Sequence, residues 1–133
     1  KGLILVAANI AQLDEFVDFS KIKNLRMIYD SWPGPVTWLI PAKQMTPSWL
    51  TGIHKTLGVR VSSNQLVKSL CEELGPIVST SANPKNACPA KSSWRVRSYF
   101  HREIDYVIPA SITNNSNPSE IRDAQNGNIL RSG

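Results

Sequence analysis

Pro76-Ile77-Val78-Ser79-Thr80-Ser81-Ala82-Asn83-Pro84 is the stretch that decides the fold class. Ile77 and Val78 suit a buried strand. The serine, threonine and asparagine residues behind them draw the chain out of it, because short polar side chains compete for backbone hydrogen bonds and Pro84 supplies no N–H. Open α/β sheets place their ligands beyond such strand ends. Small hydroxyls and uncovered backbone N–H groups let an anion come close, so a phosphate or carboxylate is the natural guest. Taken alone, the run fits equally well an ordinary polar exit whose hydroxyls satisfy only local backbone groups.

Outward from this stretch, apolar runs alternate with helical patterns and no linker or repeat intervenes. Leu3 to Val6, Val36 to Ile40, Leu57 to Val61 and Ile77 to Thr80 read as strands; Tyr106 to Ile108, Glu120 to Asp123 and Asn128 to Arg131 read as short late ones. Leu13, Phe16 and Val17 recur at helical intervals, predicting a helix over Gln12 to Phe19, and Lys21 to Tyr29 predicts a second. Ser31-Trp32-Pro33-Gly34-Pro35 breaks the chain before the strand that carries Thr37, since two prolines remove backbone donors and the glycine permits a tight turn. Ser63 or Asn64 can cap a helix that ends at Gly75, and Ser92 or Ser93 opens another to about Arg102. The alternation predicts a mixed α/β sheet with helices packed on it.

The 133 residues have the size of one domain, and 41% hydrophobic content is enough for an ordinary core. A formal charge of +5 favours contact with polyanions or nucleotides without naming a partner. Cys71 sits at an apolar position of a helical pattern and Cys88 in a polar loop. Neither they nor the isolated His54 and His101 have metal-site spacing, so no metal site is expected. Reduced cysteines make the cytoplasm the default location. The apolar run Leu3 to Ala8 is too short to span a bilayer, so no membrane association is expected.

Arg60 interrupts the apolar strand Leu57-Gly58-Val59-Arg60-Val61. A guanidinium buried there needs a carboxylate, a phosphate or a water-filled cleft, although a solvated strand face is the commoner fate of a lone arginine. Lys91 to Arg102 interleaves cations with Trp94, Tyr99 and Phe100, a composition able to grip RNA by phosphate contact and stacking. Helical spacing, with Val96, Tyr99 and Phe100 turned inward, explains the same pattern without a ligand.

Lys1-Gly2-Leu3-Ile4-Leu5, Ser31 to Thr37, Thr56 to Val61, Ser79 to Asn83, Asn117 to Asp123 and Ile129 to Gly133 together resemble the YrdC/TsaC family, in order and in spacing across nearly the whole chain. The resemblance implies a YrdC-like twisted open mixed sheet with flanking helices and a concave basic face, one domain over residues 1–133. It also implies a preceding segment with a Lys-x-Arg motif, so this sequence is expected to be the C-terminal portion of a longer protein.

The activity implied is that of a nucleotidyltransferase making threonylcarbamoyl-AMP and pyrophosphate from L-threonine, bicarbonate and ATP. Mg2+ is expected on the phosphates, and partner proteins are expected to pass the threonylcarbamoyl group to a tRNA adenosine. By the same resemblance Arg60, Ser79 and Ser119 would hold threonine, and Lys1, Thr56, Ser81, Asn83 and Arg131 would hold ATP. No side chain is implied as a covalent or acid–base catalyst. The competing expectation from charge and the Trp94 region is a non-catalytic module binding double-stranded RNA or tRNA.

Overall fold

The computed structural model describes residues 2–108 and 118–133. The chain forms two compact units, residues 1–79 with 118–133, and residues 80–117.

The larger unit is built on six strands: β1 (Ile4–Ala7), β2 (Val36–Pro41), β3 (Thr56–Val61), β4 (Ile77–Ser79), β5 (Glu120–Asp123) and β6 (Ile129–Arg131). Their order across the sheet is β4-β1-β3-β2-β5-β6. The β1/β3 and β2/β5 pairs are parallel; the other three pairs are antiparallel. The mixed sheet expected from the alternation is therefore present.

Register assigns the side chains to two faces, because paired residues point the same way and successive residues point oppositely. One face carries Leu5, Ala7, Leu57, Val59, Val61, Trp38 and Ile40, all buried. They join one hydrophobic cluster with Leu13, Val17, Ile22, Ile28, Trp32 and Leu50 from the connecting segments. Trp38 is fully enclosed there; its Nε1 donates to Ser31 Oγ at 2.8 Å, and the Arg122 guanidinium lies 5.6 Å from its ring centre. A polar handle satisfied in this way lets a large aromatic be buried without an orphaned donor.

Short helices α1 (Arg26–Tyr29) and α2 (Ser48–Thr51) belong to the connections, and α3 (Gln65–Leu74) packs on β1. Asn64 caps α3 by accepting from Val67 N–H at 3.2 Å, and Gly75 ends it at a φ of 80°. On its inner side Cys71 is buried, with its thiol donating to the Val6 carbonyl. The turn before β2 contains a cis Trp32–Pro33 peptide, and Gly34 N–H donates to Val61 O at 3.0 Å.

Three expected elements differ. Gln12 to Phe19 is not one helix: a 3-10 turn covers Ala11–Leu13 and another covers Phe19–Lys21. Between them Val17 bridges Ala42, Asp18 N–H donates to Pro41 O, and Lys43 N–H donates to Phe16 O. The end of β2 thus supplies the backbone partners a helix would have used, while Leu13 and Val17 still reach the core. Of Lys21 to Tyr29, only Arg26–Tyr29 is α-helical. Tyr106 to Ile108 forms no strand, and α2 has no counterpart among the expected elements.

The smaller unit contains α4 (Ser93–Phe100), followed by a 3-10 turn over His101–Glu103. Ser92 caps α4 by accepting from Arg95 N–H at 3.2 Å. Val96, Tyr99 and Phe100 are half-buried while Trp94 is 71% exposed. The Arg95 guanidinium lies 5.2 Å from the Tyr99 ring centre, and Tyr99 meets Phe100 edge to face.

Candidate active site on the polar sheet face

The face of the sheet opposite the core cluster is where the sequence-predicted residues of the larger unit meet. Thr56 and Arg60 alternate with the buried Leu57 and Val59 on β3 and so project to this side. Ser79 of β4 pairs with Ile4, which pairs in turn with Gly58. Leu39 pairs with Gly58, and extending that register places Thr37 beside Arg60. Thr37 pairs with Ile121, and Ile121 with Arg131. One row of side chains therefore runs from Arg60 through Thr37 to Arg131, spanning about three strand spacings or roughly 15 Å.

Gly58 keeps the middle of this face low. A Cβ there would lie 3.4 Å from Ile4 Cγ1 and from Leu39 Cδ2, and 3.5 Å from Thr37 Cγ2. The space directly above the strand, between Thr56 and Arg60, is thus free of a side chain from β3 itself.

Arg60 is the unusual charge on this face. Its Nε is buried with no hydrogen-bond partner, and among the described residues it enters no ion pair. Burial pushes the guanidinium pKa down, the expected cost of removing a cation from water without compensation. A planar fork in that state is complementary to a carboxylate or phosphate, which would restore both the charge balance and the missing acceptor.

Ser119 stands immediately before β5 and is held from two sides. Thr37 Oγ1 donates to Ser119 Oγ at 3.2 Å, and Arg131 Nη2 donates to Ser119 O at 2.6 Å. Arg131 is exposed, and this bond places one of its donors on the protein. The sequence places Thr37 only on the strand that follows the Ser31 to Pro35 turn; its full burial and its bond to Ser119 make it part of the site. A lone threonine on an otherwise apolar strand was the available signal, and it is weak because threonine is a common strand residue.

Ser81 and Asn83 belong to the smaller unit. Ser81 is exposed, and its carbonyl accepts from Asn83 N–H at 2.9 Å. Asn83 Nδ2 donates to Pro84 O and Ala87 O, tying the loop together, while its Oδ1 is buried without a partner. Lys1, expected to contact ATP, lies outside the described residues. A groove of about 360 Å³ runs along the start of α4, with Lys91, Trp94, Arg95 and Tyr99 among its walls.

One face of the mixed sheet is apolar, and the other sets Thr37, Thr56 and Ser79 beside an arginine that enters no ion pair among the described residues. The family model for Sua5/YciO/YrdC, described as "Telomere recombination", matches residues 1–133, and the chain belongs to this family. Among its relatives, a threonylcarbamoyl-AMP synthase of Pseudomonas savastanoi pv. phaseolicola is 46% identical over 134 residues, covering 100% of this chain and 72% of the relative. The threonylcarbamoyl-AMP synthase of Pseudomonas aeruginosa is 44% identical over 131 residues, covering 98% and 71%.

Solved structures agree on the fold. The crystal structure of P. abyssi Sua5 complexed with L-threonine superposes with a TM-score of 0.81 at 25% identity, over 92% of this chain and 36% of that one. E. coli YciO gives a TM-score of 0.82 at 23% identity, over 99% and 66%. The chain thus spans a little over a third of that Sua5's length.

Proposed function

We propose that this chain forms the synthase domain of a threonylcarbamoyl-AMP synthase, joining L-threonine, bicarbonate and ATP into threonylcarbamoyl-AMP with release of pyrophosphate. Kinship with enzymes of that name at 44 to 46% identity supports the reading. The observation that carries it into the site is the half-buried Arg60, whose enclosed Nε has no partner, on a sheet face that also holds Thr37 and Thr56; the place calls for a small carboxylate.

In this reading Arg60 binds the threonine carboxylate, and Ser79 and Ser119 complete the amino-acid pocket. Lys1, Thr56, Ser81, Asn83 and Arg131 serve ATP. Carboxylation of the threonine amine gives a carbamate, whose oxygen attacks the α-phosphorus as pyrophosphate leaves, so the protein's work is alignment and charge neutralisation. The lowered pKa of Arg60 reflects desolvation alone, and a bound carboxylate favours its charged form.

Among the described residues no group of three or more His, Cys, Asp or Glu could hold a metal ion. The described residues therefore offer Mg2+ no acidic cage, and Mg2+ would travel on the phosphates of ATP. A product of this kind serves tRNA threonylcarbamoylation, through partner proteins that receive the adenylate, and the free thiols of Cys71 and Cys88 suit the cytoplasm. No described helix is long and apolar enough to cross a membrane.

The test is pyrophosphate release by the full-length protein, expected only when L-threonine, bicarbonate and ATP are all present. Release independent of threonine, or none at all, overturns the reading.

A second reading has its own observation. From Gly75 to Arg102 the chain carries Lys85, Lys91, Arg95, Arg97 and Arg102 and no acid, while the other ten cations are matched by ten acids elsewhere. The whole charge excess thus sits around α4, beside an exposed Trp94. A surface of that composition suits tRNA or double-stranded RNA. Salt-dependent RNA binding by a protein with no ATP affinity would favour a purely RNA-binding module over the synthase.

A further inference from the structure

We infer that Thr37 is a positioning residue that holds the Ser119 hydroxyl toward the amino-acid substrate. The inference rests on the synthase reading above and adds to it a residue with no direct ligand contact of its own.

The geometry is directional. Thr37 is fully buried, so no water competes for its hydroxyl, and its partner is Ser119 Oγ at 3.2 Å. The contact holds the Ser119 hydroxyl against β2 and leaves its remaining hydrogen-bonding capacity for a ligand. Ser119 projects to the same side as Ile121, the side that carries Arg60 and Thr37. A hydroxyl held there is complementary to a carboxylate or hydroxyl group of threonine.

Ser119 stands at the residue before β5, where the paired strand begins. Thr37 from β2 restrains its side chain, and Arg131 from β6 restrains its carbonyl. Two strands that flank β5 thereby set one hydroxyl, the arrangement by which a rigid scaffold gives a loop residue a fixed direction.

The experiment is a double-mutant cycle on the full-length protein, reading L-threonine and ATP affinities separately by calorimetry. Thr37→Val keeps the shape and removes the hydroxyl; it is expected to weaken threonine binding by roughly 3- to 10-fold, the effect of one lost hydrogen bond, and to leave ATP binding unchanged. Thr37→Ser keeps the hydroxyl and should stay within about twofold of wild type, since the hydrogen bond is preserved. In a Ser119→Ala background, Thr37→Val should cause no further loss.

An equal loss in that background, an equal loss in Thr37→Ser, or wild-type threonine affinity in Thr37→Val overturns the inference. If Thr37→Val does not fold, Thr37→Ala takes its place in the same cycle with the same expected outcomes. A wild-type protein that binds no threonine instead overturns the synthase reading itself.

Discussion

Val59 and Arg60 are neighbours on β3 with opposite surroundings: Val59 is fully buried in the hydrophobic cluster, while Arg60 faces the other side of the sheet with its Nε unpartnered. The two-residue period of a strand makes both outcomes necessary once one of them is fixed. The core therefore holds the site residue in place: a register slip that exposed Val59 would bury the guanidinium among Trp38 and Leu5.

Arg60→Ala is expected to lower L-threonine affinity at least tenfold, a loss of about 1.4 kcal/mol or more, while leaving the melting temperature unchanged or slightly raised. The second effect follows because a half-buried cation whose enclosed Nε has no partner is removed. Calorimetry and thermal unfolding on the same preparation check both. Arg60→Lys should not restore binding, since an ammonium lacks the planar fork; unchanged affinity in either variant removes Arg60 from the pocket.

Gly34→Ala tests the turn that feeds β2. A Cβ at Gly34 would overlap the Ser31 carbonyl oxygen, and since a Cβ is fixed directly to the backbone and the oxygen is backbone, neither can yield cheaply. We expect a loss of about 1–3 kcal/mol in denaturant unfolding, the usual cost of an overpacked contact. A midpoint equal to wild type would show that the turn relaxes freely.

Leu13→Ala and Leu70→Ala separate a core position from a helix flank. Leu13 is fully buried in the cluster, so its truncation should cost about 2–5 kcal/mol. Leu70 on α3 is only half-buried, and its truncation should cost clearly less. Equal losses would contradict the placement of the core on the α1 and α2 side of the sheet.

The two thiols give a pH test. Desolvation is the main cause raising the Cys71 pKa, so the neutral thiol is the form the fold prefers. A group raised in this sense contributes stability that is complete below its unfolded pKa, near 8.5, and lost as pH rises through its folded value. Unfolding free energy should therefore fall from pH 8 to pH 10, and fall less in Cys71→Ala. In the native protein an alkylating reagent should modify the exposed Cys88 and spare Cys71 until unfolding; equal labelling of both would refute the burial of Cys71.

Much of the architecture was legible because it is local. Val36 to Ile40, Leu57 to Val61 and the stretch from Ile77 announce strands by composition, and Asn64 and Gly75 bracket α3 by capping chemistry that needs no tertiary partner. Gln12 to Phe19 failed for the opposite reason. Its apolar spacing is satisfied by the core whether or not a helix forms, and the end of β2 outcompeted the helix for the backbone of Phe16 and Asp18. Trp49 shows the same limit: large aromatics usually fill cores, yet it is 63% exposed on α2.

By itself the sequence determined which residue types could do the chemistry, since hydroxyls at strand ends and an arginine inside an apolar strand carry their physical consequences wherever the chain goes. Only the tertiary structure decided that Thr37, Arg60, Ser119 and Arg131 share one face. Their meeting depends on pairings between β3, β2, β5 and β6, strands drawn from opposite ends of the chain, and sheet order across such distances is set by the collective burial of the other face.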